Sequence, residues 1–374
     1  MKLLYITIVP IDVENLDGVQ RKVLSQSRAL ASYGNQIDLL YHHNGSIFLC
    51  DINDDRKSTL KTGGSRSLIL STAKELVANY DGFYIRYPLS DLKFLLLLKK
   101  IKSQNKRVVV EIPTYPYDQQ GAESLRGKLI HKVDKLFRPW LHKYVDRICT
   151  YSLDKEIFRI KTINTVNGYD FSTVKPTYDN PKVLETINLI AVSGMWPLHG
   201  YDRFIRGLND YYKQGGKRNI VLHVVGSGYV EADYKALTQK FGLQEHVIFH
   251  GRQFGINLMK LYSTQAIGVN SLAIHREGLE RESTLKTKEY AALGLPIISS
   301  SFVDAFSEEG NMKFVLKIPA DESNVNIKEV VAFADSLYLG KDIVALRNEI
   351  RADGFCTCDM KVTLKQVQSF FTEM

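Results

Sequence analysis

The densest group of residues able to do chemistry lies between Ser271 and Ser300. It runs His275-Arg276-Glu277-Gly278, then Glu282-Ser283-Thr284-Leu285-Lys286-Thr287-Lys288-Glu289-Tyr290, then Gly294-Leu295-Pro296. Ser283 and Thr284 are residue types that cap helices, so a helix is expected to begin there. Lys286 and Glu289 stand three apart and would share one helix face. A cation near a helix N-terminus is unfavourable alone and becomes favourable when an anion joins it, which a diphosphate would supply. A carboxylate one turn further in can accept both hydrogen bonds of a ribose diol. The plainer alternative is a surface ion pair between Lys286 and Glu289, worth about 0.3–0.5 kcal/mol.

Three glycine-bearing turns accompany this group. Asp17-Gly18-Val19 precedes the expected helix Gln20–Tyr33, and a Gly there lets a phosphate approach the free N–H groups of a helix start. Gly194-Met195-Trp196-Pro197-Leu198-His199-Gly200 and Gly226-Ser227-Gly228 each follow a β-branched run. None has the Gly-x-Gly-x-x-Gly spacing of a dinucleotide fingerprint, which weighs against a nicotinamide oxidoreductase. Each is equally compatible with an ordinary tight turn.

The elements that must carry these residues alternate along the chain. Strands are expected at Leu3–Val9, Gln36–His42, Gly82–Arg86, Arg107–Ile112 and Arg147–Tyr151, then at Asn188–Ser193, Ile220–Val225, His246–His250, Ala266–Asn270 and Pro296–Ser300. Helices are expected at Val19–Tyr33, Arg126–Tyr144, Tyr201–Lys213, Tyr229–Phe241 and Thr284–Leu293. Such alternation implies an α/β chain with two parallel sheets, each covered on both faces. Asp170–Thr186 is polar, holds two prolines and reads as a linker. The expected division is therefore 1–175, 186–355 and a C-terminal helix at 356–374 packing back toward the first domain. Ligands belong at the C-terminal edges of both sheets, in a cleft between the domains.

The 374 residues are 44% hydrophobic and 24% charged, which excludes a disordered or fibrous chain. Four scattered cysteines make no disulfide scaffold, and no Cys-x-x-Cys pair offers zinc ligands. Reduced thiols point to a cytoplasmic setting. The apolar run at Leu3–Val9 is too short for a signal peptide, and no run of about 18 apolar residues suggests a membrane span.

Charge is unevenly spread. Met1–Asn180 holds 27 basic and 19 acidic residues, whereas the remainder holds 22 of each. Asp91–Thr150 alone has 13 basic against 6 acidic, which suggests a polyanionic partner. Within Arg126–Arg147, Lys128, Lys132, Lys135, Arg138 and Lys143 interleave at helical spacing with Leu129, Val133, Leu136, Phe137, Trp140 and Tyr144. Two readings stand: a surface helix packed on its own sheet, or one lying on an anionic membrane. No nucleic-acid-binding signature appears, so no nucleic-acid partner is expected.

Taken together, these residues resemble the GT-B glycosyltransferases of the family-4 type, which build bacterial capsules, exopolysaccharides and lipopolysaccharides. The opening turn with Arg28-Ala29-Leu30-Ala31-Ser32-Tyr33-Gly34 is similar to their glycine turn and following helix. Asn167-Gly168-Tyr169-Asp170 resembles the "NGvD" that precedes their linker. Val224-Val225-Gly226-Ser227-Gly228 and Val247-Ile248-Phe249-His250-Gly251 resemble two turns of their nucleotide-binding domain. Lys286-Thr287-Lys288-Glu289-Tyr290-Ala291-Ala292-Leu293-Gly294-Leu295-Pro296 is similar to their "lK..EYla.GlPvi" segment, the most specific of the set.

The resemblance implies two doubly wound Rossmann-like domains facing across a cleft. It implies a metal-independent, retaining transfer from a nucleotide-diphosphate sugar, with UDP favoured, to a glycan or lipid-linked glycan on the inner face of the membrane. No cofactor is called for. Glu289 would hold the donor ribose, and Lys286 with its helix amides would face the diphosphate. Gly18 would let backbone close over the phosphates, and the turn holding Arg252 would border the base. Two family patterns are altered: Arg281 stands eight before Glu289 where many relatives have Glu, with Glu282 next to it, and Gly194 and Gly200 are joined by Met195 to His199 rather than by an Arg and a Lys. Gly194, His199, Gly226, Gly228, His275 and Glu282 remain donor-site candidates, and Arg276 is placed to replace the missing diphosphate Arg. Glu111-Ile112-Pro113-Thr114-Tyr115-Pro116-Tyr117-Asp118 lies where many relatives carry an active-site His. Thr114 and Tyr117 are acceptor-side candidates there, and Asp118 is a candidate base. The competing expectations are a GT-B sugar-nucleotide epimerase and a non-catalytic glycan- or membrane-binding protein of the same fold.

Overall fold

The structure is a computed structural model that describes residues 1–13, 16–118, 124–176 and 185–373. Residues 177–184 of the expected linker lie outside the described residues. The chain divides into two compact units, Met1–Gly168 with Met360–Met374, and Tyr169–Asp359. The first unit thus ends at Gly168 rather than 175, and its C-terminal piece begins at Met360 rather than 356. The reason is visible in the packing. A Cβ on Gly168 would meet Thr363 Oγ1 at 2.4 Å, and the backbone N–H of Tyr169 donates to the Cys358 carbonyl at 3.0 Å. The two chain crossings therefore run side by side.

The first unit is built on a nine-stranded sheet: β1 (Lys2–Pro10), β2 (Gln36–His43), β3 (Ser46–Asp51), β4 (Arg56–Thr62), β5 (Gly82–Arg86), β6 (Arg107–Ile112), β7 (Arg147–Thr150), β8 (Glu156–Ile157) and β9 (Ile160–Asn164). Their order is β4-β3-β2-β1-β5-β6-β7-β9-β8, with β3, β4 and β8 antiparallel to their neighbours. Successive residues of a strand face opposite ways, so an unbroken apolar run fills two cores. Leu4, Ile6, Phe83, Ile85, Val108 and Val110 enter one, and Leu3, Tyr5, Tyr84 and Val109 enter the other. Helices α1 (Gly18–Ser32), α2 (Arg66–Leu76), α3 (Leu92–Lys102) and α4 (Leu125–Phe137) follow strands of this sheet. The C-terminal helix Met360–Thr372 adds Met360, Leu364, Val367 and Phe371 to the second core.

Helix α4 is turned inside out. Its buried residues are His131 and Asp134, while Leu125, Leu129 and Leu136 are 86%, 62% and 67% exposed. The Asp134 carboxylate anchors the helix by accepting from the Tyr87 hydroxyl (2.5 Å), the Ser90 N–H (2.6 Å) and the Tyr117 hydroxyl (2.7 Å). The helix thus packs on its own unit through His131 and Asp134, with Val133 and Phe137 half-buried, while the three leucines face outward.

The second unit holds β10 (Thr186–Val192), β11 (Asn219–Val225), β12 (Val247–Phe249), β13 (Ile267–Val269), β14 (Arg281–Glu282), β15 (Ile297–Ser299), β16 (Phe302–Val303) and β17 (Val315–Lys317). Six form a parallel sheet in the order β12-β11-β10-β13-β15-β17, and β14 pairs with β16. Around them lie α5 (Tyr201–Lys213), α6 (Glu231–Lys240), α7 (Gly255–Ser263), α8 (Leu285–Ala292), α9 (Glu308–Phe314), α10 (Ile327–Tyr338) and α11 (Ile343–Cys358). Strand order reverses between β10 and β13 in this unit and between β1 and β5 in the first. Open α/β sheets take their ligands at such points, beyond the C-terminal strand ends. Among the described residues no helix is long and apolar enough to cross a membrane, and no three His, Cys, Asp or Glu side chains are grouped to hold a metal.

Candidate functional site

Helix α8 is pinned across the reversal point of the second sheet by Tyr290. The Tyr290 hydroxyl accepts from the Val192 N–H at 3.0 Å and lies 3.2 Å from the Ile190 carbonyl and 3.3 Å from that of Val269. Its ring fills the place where a Cβ on Gly268 would stand, 2.5 Å away. The two lysines of α8 then part company. Lys288 is fully buried, ion-paired with Asp304 and bonded to Ser283 Oγ at 3.1 Å. Lys286 keeps to the half-buried side, where its ammonium donates to Ser271 Oγ at 3.3 Å.

Thr284 occupies the N-cap position of α8, yet its side chain caps no backbone N–H. Its hydroxyl lies 3.3 Å from both Asn270 Oδ1 and Thr287 Oγ1. Ser283, the other expected cap, donates to Asp304 instead. No acidic residue stands in the first turn. The positive end of α8 is therefore left uncapped beside the Lys286 ammonium, the arrangement an anion completes. Glu282 is the local counter-charge, held by Asn270 Nδ2 (2.8 Å) and Ser271 Oγ (3.0 Å). Burial pushes the Lys286 ammonium down to about 8, against the opposing pull of Glu282.

One turn on, Glu289 accepts from two phenols, Tyr169 at 3.3 Å on Oε1 and Tyr262 at 3.0 Å on Oε2. Burial, with the Glu289 charge beside it, drives the Tyr262 phenol well above its ordinary range, so it stays a donor. Lys286 and Glu289 form no ion pair with each other among the described residues, and the plain surface pair is absent.

The glycine turns form the remaining wall. A Cβ on Gly228 would fall 1.6 Å from the Gly194 carbonyl oxygen, and one on Gly226 would fall 1.9 Å from that of Ser193. A Cβ on Gly200 would meet Ala273 Cβ at 2.6 Å. The loops after β10, β11 and β13 thus touch backbone to backbone, and Leu272 and Ala273 N–H donate to the His199 and Leu198 carbonyls, each at 3.0 Å. Gly194 differs: a Cβ there would meet only the Trp196 indole, at an ordinary 3.4 Å. His199 Nδ1 lies 2.9 Å from the Trp196 backbone nitrogen and 3.2 Å from the Trp196 carbonyl oxygen, so the loop's own backbone fixes the ring. Burial, then the nearby Lys286, pushes its pKa down to about 3, so it is neutral. Arg252 Nε donates to Ser227 Oγ at 2.7 Å and links two of the turns.

Arg276 does something other than expected. Its Nε and Nη2 reach Glu322 at 2.8 and 2.6 Å, Nη1 and Nη2 reach Asp202 at 2.9 and 3.0 Å, and Nη1 also reaches the Pro197 carbonyl at 3.1 Å. These contacts engage all five guanidinium donors, and His275 Nε2 lies 2.8 Å from the same Glu322. Both residues brace the loop after β13 against α5, leaving Lys286 as the cation facing the uncapped helix end.

In the first unit, Gly18 opens α1 behind an Asp17–Gln20 capping box. Thr114 is exposed. Tyr117 is buried and donates to Asp134, so its hydroxyl serves the anchor of α4 rather than a sugar. The hydrogen bond from Arg138, 2.7 Å away, is foremost in holding the Asp118 carboxyl below its usual range, which makes it a weak base. Tyr169, Tyr262, Asn270 and Ser271 were not expected. They reach Glu289 and Glu282 from other elements, and no local spacing announces them.

Residues 186–335 match the family model described as "Glycosyl transferases group 1". None of the curated proteins matches the chain. Among solved structures, the chain is similar to the Anabaena protein Alr3699/HepE in complex with UDP, with a TM-score of 0.63, 12% identity and 100% of both chains covered. It is also similar to a glycosyltransferase from Rickettsia africae (TM-score 0.60, 14% identity, 99% of this chain and 97% of that one). WaaG, a glycosyltransferase involved in lipopolysaccharide biosynthesis, aligns with a TM-score of 0.56 at 13% identity over 100% of both. At such identities the likeness carries the fold, over the whole length of the chain.

Proposed function

We propose that this chain, whose residues 186–335 form a group 1 glycosyl transferase domain, moves a sugar from UDP onto a glycan or lipid-linked glycan of a surface polysaccharide. The observation that carries the donor half is the uncapped start of α8 with Lys286 beside it and Glu289 one turn further on. Lys286, the first-turn N–H groups and the neutral His199 imidazole face the diphosphate and stabilise the charge that grows on it as the glycosidic bond breaks. Glu289, steadied by Tyr169 and Tyr262, accepts from the ribose hydroxyls, and the turn carrying Arg252 borders the base. The anomeric configuration is retained and no metal is needed. The UDP-bound Anabaena structure and the role named for WaaG support the donor and the polysaccharide setting. The acceptor lies at an anionic membrane surface, which the outward leucines and lysines of α4 engage.

Thermal unfolding in the presence of UDP, GDP, ADP, CMP and NAD tests the donor. A ligand at about 100 times its Kd stabilises by ~2.7 kcal/mol. UDP is expected to raise Tm, with the rise lost in Glu289→Ala and untouched by EDTA; a rise with NAD alone would refute the reading. Donor turnover then separates the rivals, since an epimerase converts the sugar nucleotide without acceptor and a non-catalytic binder leaves it intact.

A further inference from the structure

At the reversal point of the first sheet lies a buried cluster that the donor chemistry does not use. Glu111, near the end of β6, has no solvent exposure. Its Oε1 accepts from Gln26 Nε2 at 2.7 Å and from the Tyr151 hydroxyl at 2.5 Å, with Lys22 Nζ at 3.5 Å, and its Oε2 accepts from Arg86 Nη1 at 2.8 Å. The Tyr5 hydroxyl donates to Gln26 Oε1 at 2.7 Å, which turns the amide N–H toward Glu111. Lys22 Nζ sits 4.0 Å from the centre of the Tyr151 ring. Burial disfavours ionisation of Glu111, yet Lys22 and Arg86 outweigh it and hold the carboxyl down at about 2.

The charges do not balance. Two cations surround one carboxylate, and among the described residues neither Lys22 nor Arg86 has a second acidic partner. The Lys22 side chain is only 5% exposed, and its ammonium lies 3.5 Å from the Glu111 carboxylate, farther than the Arg86 guanidinium at 2.8 Å. A buried charge without compensation is costly. Position adds the second argument: Lys22 lies on the helix that follows β1, and Arg86 is the last residue of β5, the two strands between which the order reverses. The cluster opens outward through Arg86 and Tyr151, both partly exposed.

We propose that Lys22 and Arg86 take up an anionic group of the acceptor, a carboxylate or a phosphate, while Glu111 holds the two cations in place. This rests on the glycosyltransferase reading and names the acceptor's chemistry: an acidic sugar or a phosphate-bearing carrier.

The test uses the full chain saturated with UDP, so that the donor's phosphate site is already filled. Inorganic phosphate and sodium glucuronate are titrated separately against sodium chloride of equal ionic strength, with glucose as the neutral control, and Tm is followed. One of the two anions is expected to raise Tm beyond chloride, phosphate marking a phosphate-bearing acceptor and glucuronate an acidic sugar. In Lys22→Met the apparent affinity for that anion falls about tenfold or more, as for a charge-assisted hydrogen bond, while the UDP shift persists. Should Lys22→Met fail to fold, as a lost UDP shift would reveal, Arg86→Gln repeats the comparison. No shift with either anion in the wild type, or an equal shift in the variants, would overturn the proposal. A wild type that ignores UDP would take down the donor reading instead.

Discussion

Lys286 shows how much of this site depends on a single charge. Burial leaves its ammonium near 8 in the free protein, so the cation is present below that value and disappears as pH rises through it. Anion binding to Lys286 must weaken in the same direction. Measured above pH 7, where the terminal phosphate of UDP is already ionised, the Kd for UDP is expected to rise as pH passes about 8. Lys286→Met should bind about 10–100 times more weakly at pH 7, as for a hydrogen bond to a charged group, and its profile should be flat. His199 adds nothing to the slope, because its imidazole is held down at about 3 and stays neutral throughout. Calorimetric titrations of both proteins from pH 7 to 9.5 check this, and parallel profiles would remove Lys286 from the phosphate site. Arg276 supplies the contrast at the same scale. Its type and position suit a diphosphate, but Asp202 and Glu322, far away in sequence, engage its donors.

Among the elements, the turn Gly226-Ser227-Gly228 makes the sharpest demand. A side chain at 228 would have to displace the Gly194 carbonyl, which lies 1.6 Å from the Cβ position. Backbone cannot yield as a flexible side chain does, so Gly228→Ala is expected to cost about 1–3 kcal/mol of stability. It should also weaken UDP binding by shifting the Gly194–Gly200 loop, whereas Gly242→Ala, with open space at its Cβ, should leave UDP binding intact. Equal UDP affinity in Gly228→Ala and wild type would show that the loop contact does not position the donor. The same scale explains which elements could be read from sequence. Parallel strands buried on both faces, such as β5 and β6, are short apolar runs between polar breaks and stand out at once. The β2–β3 hairpin carried a sign in Asn44-Gly45, both at positive φ (42° and 68°) as a two-residue turn requires. β4, Arg-Lys-Ser-Thr-Leu-Lys-Thr, is almost wholly exposed and has no apolar alternation to betray it. Strands of two or three residues such as β14, β16 and β17 are too short to show any period. In the site, Lys286 and Glu289 were legible because one helix spaces them. Tyr169 and Tyr262 reach Glu289 only through the tertiary fold, so no window of sequence contains them together.

On the scale of the whole molecule, charge and chemistry divide between the two units. The match to the glycosyl transferase model and the uncapped helix lie in the second, whose 21 basic and 23 acidic residues leave it slightly negative, whereas the net positive charge belongs to the first. Helix α4 concentrates that asymmetry. Leu125, Leu129, Lys132 and Leu136 recur at helical spacing on its outward side, flanked by Arg126, Lys128 and Lys135, and the half-exposed Trp140 follows in the next turn. Exposed leucines are disfavoured in water unless something covers them, and the basic residues beside them favour an anionic surface over a neutral apolar one. Each Lys near such a surface contributes about 1 kcal/mol, or roughly fivefold in partitioning, and salt screens it. The chain is therefore expected to co-sediment with vesicles containing phosphatidylglycerol and not with pure phosphatidylcholine, and to be released as salt rises. Lys128→Glu with Lys132→Glu should abolish the anionic preference. Leu129→Ser should weaken binding without removing the salt dependence, because it takes away the apolar share alone. Both sets leave Asp134 and its partners in place, so Tm should hardly move. Vesicle binding indifferent to lipid charge, or unaffected by either set, would mean that α4 meets a protein or a glycan instead, and the acceptor would then have to reach the enzyme from solution.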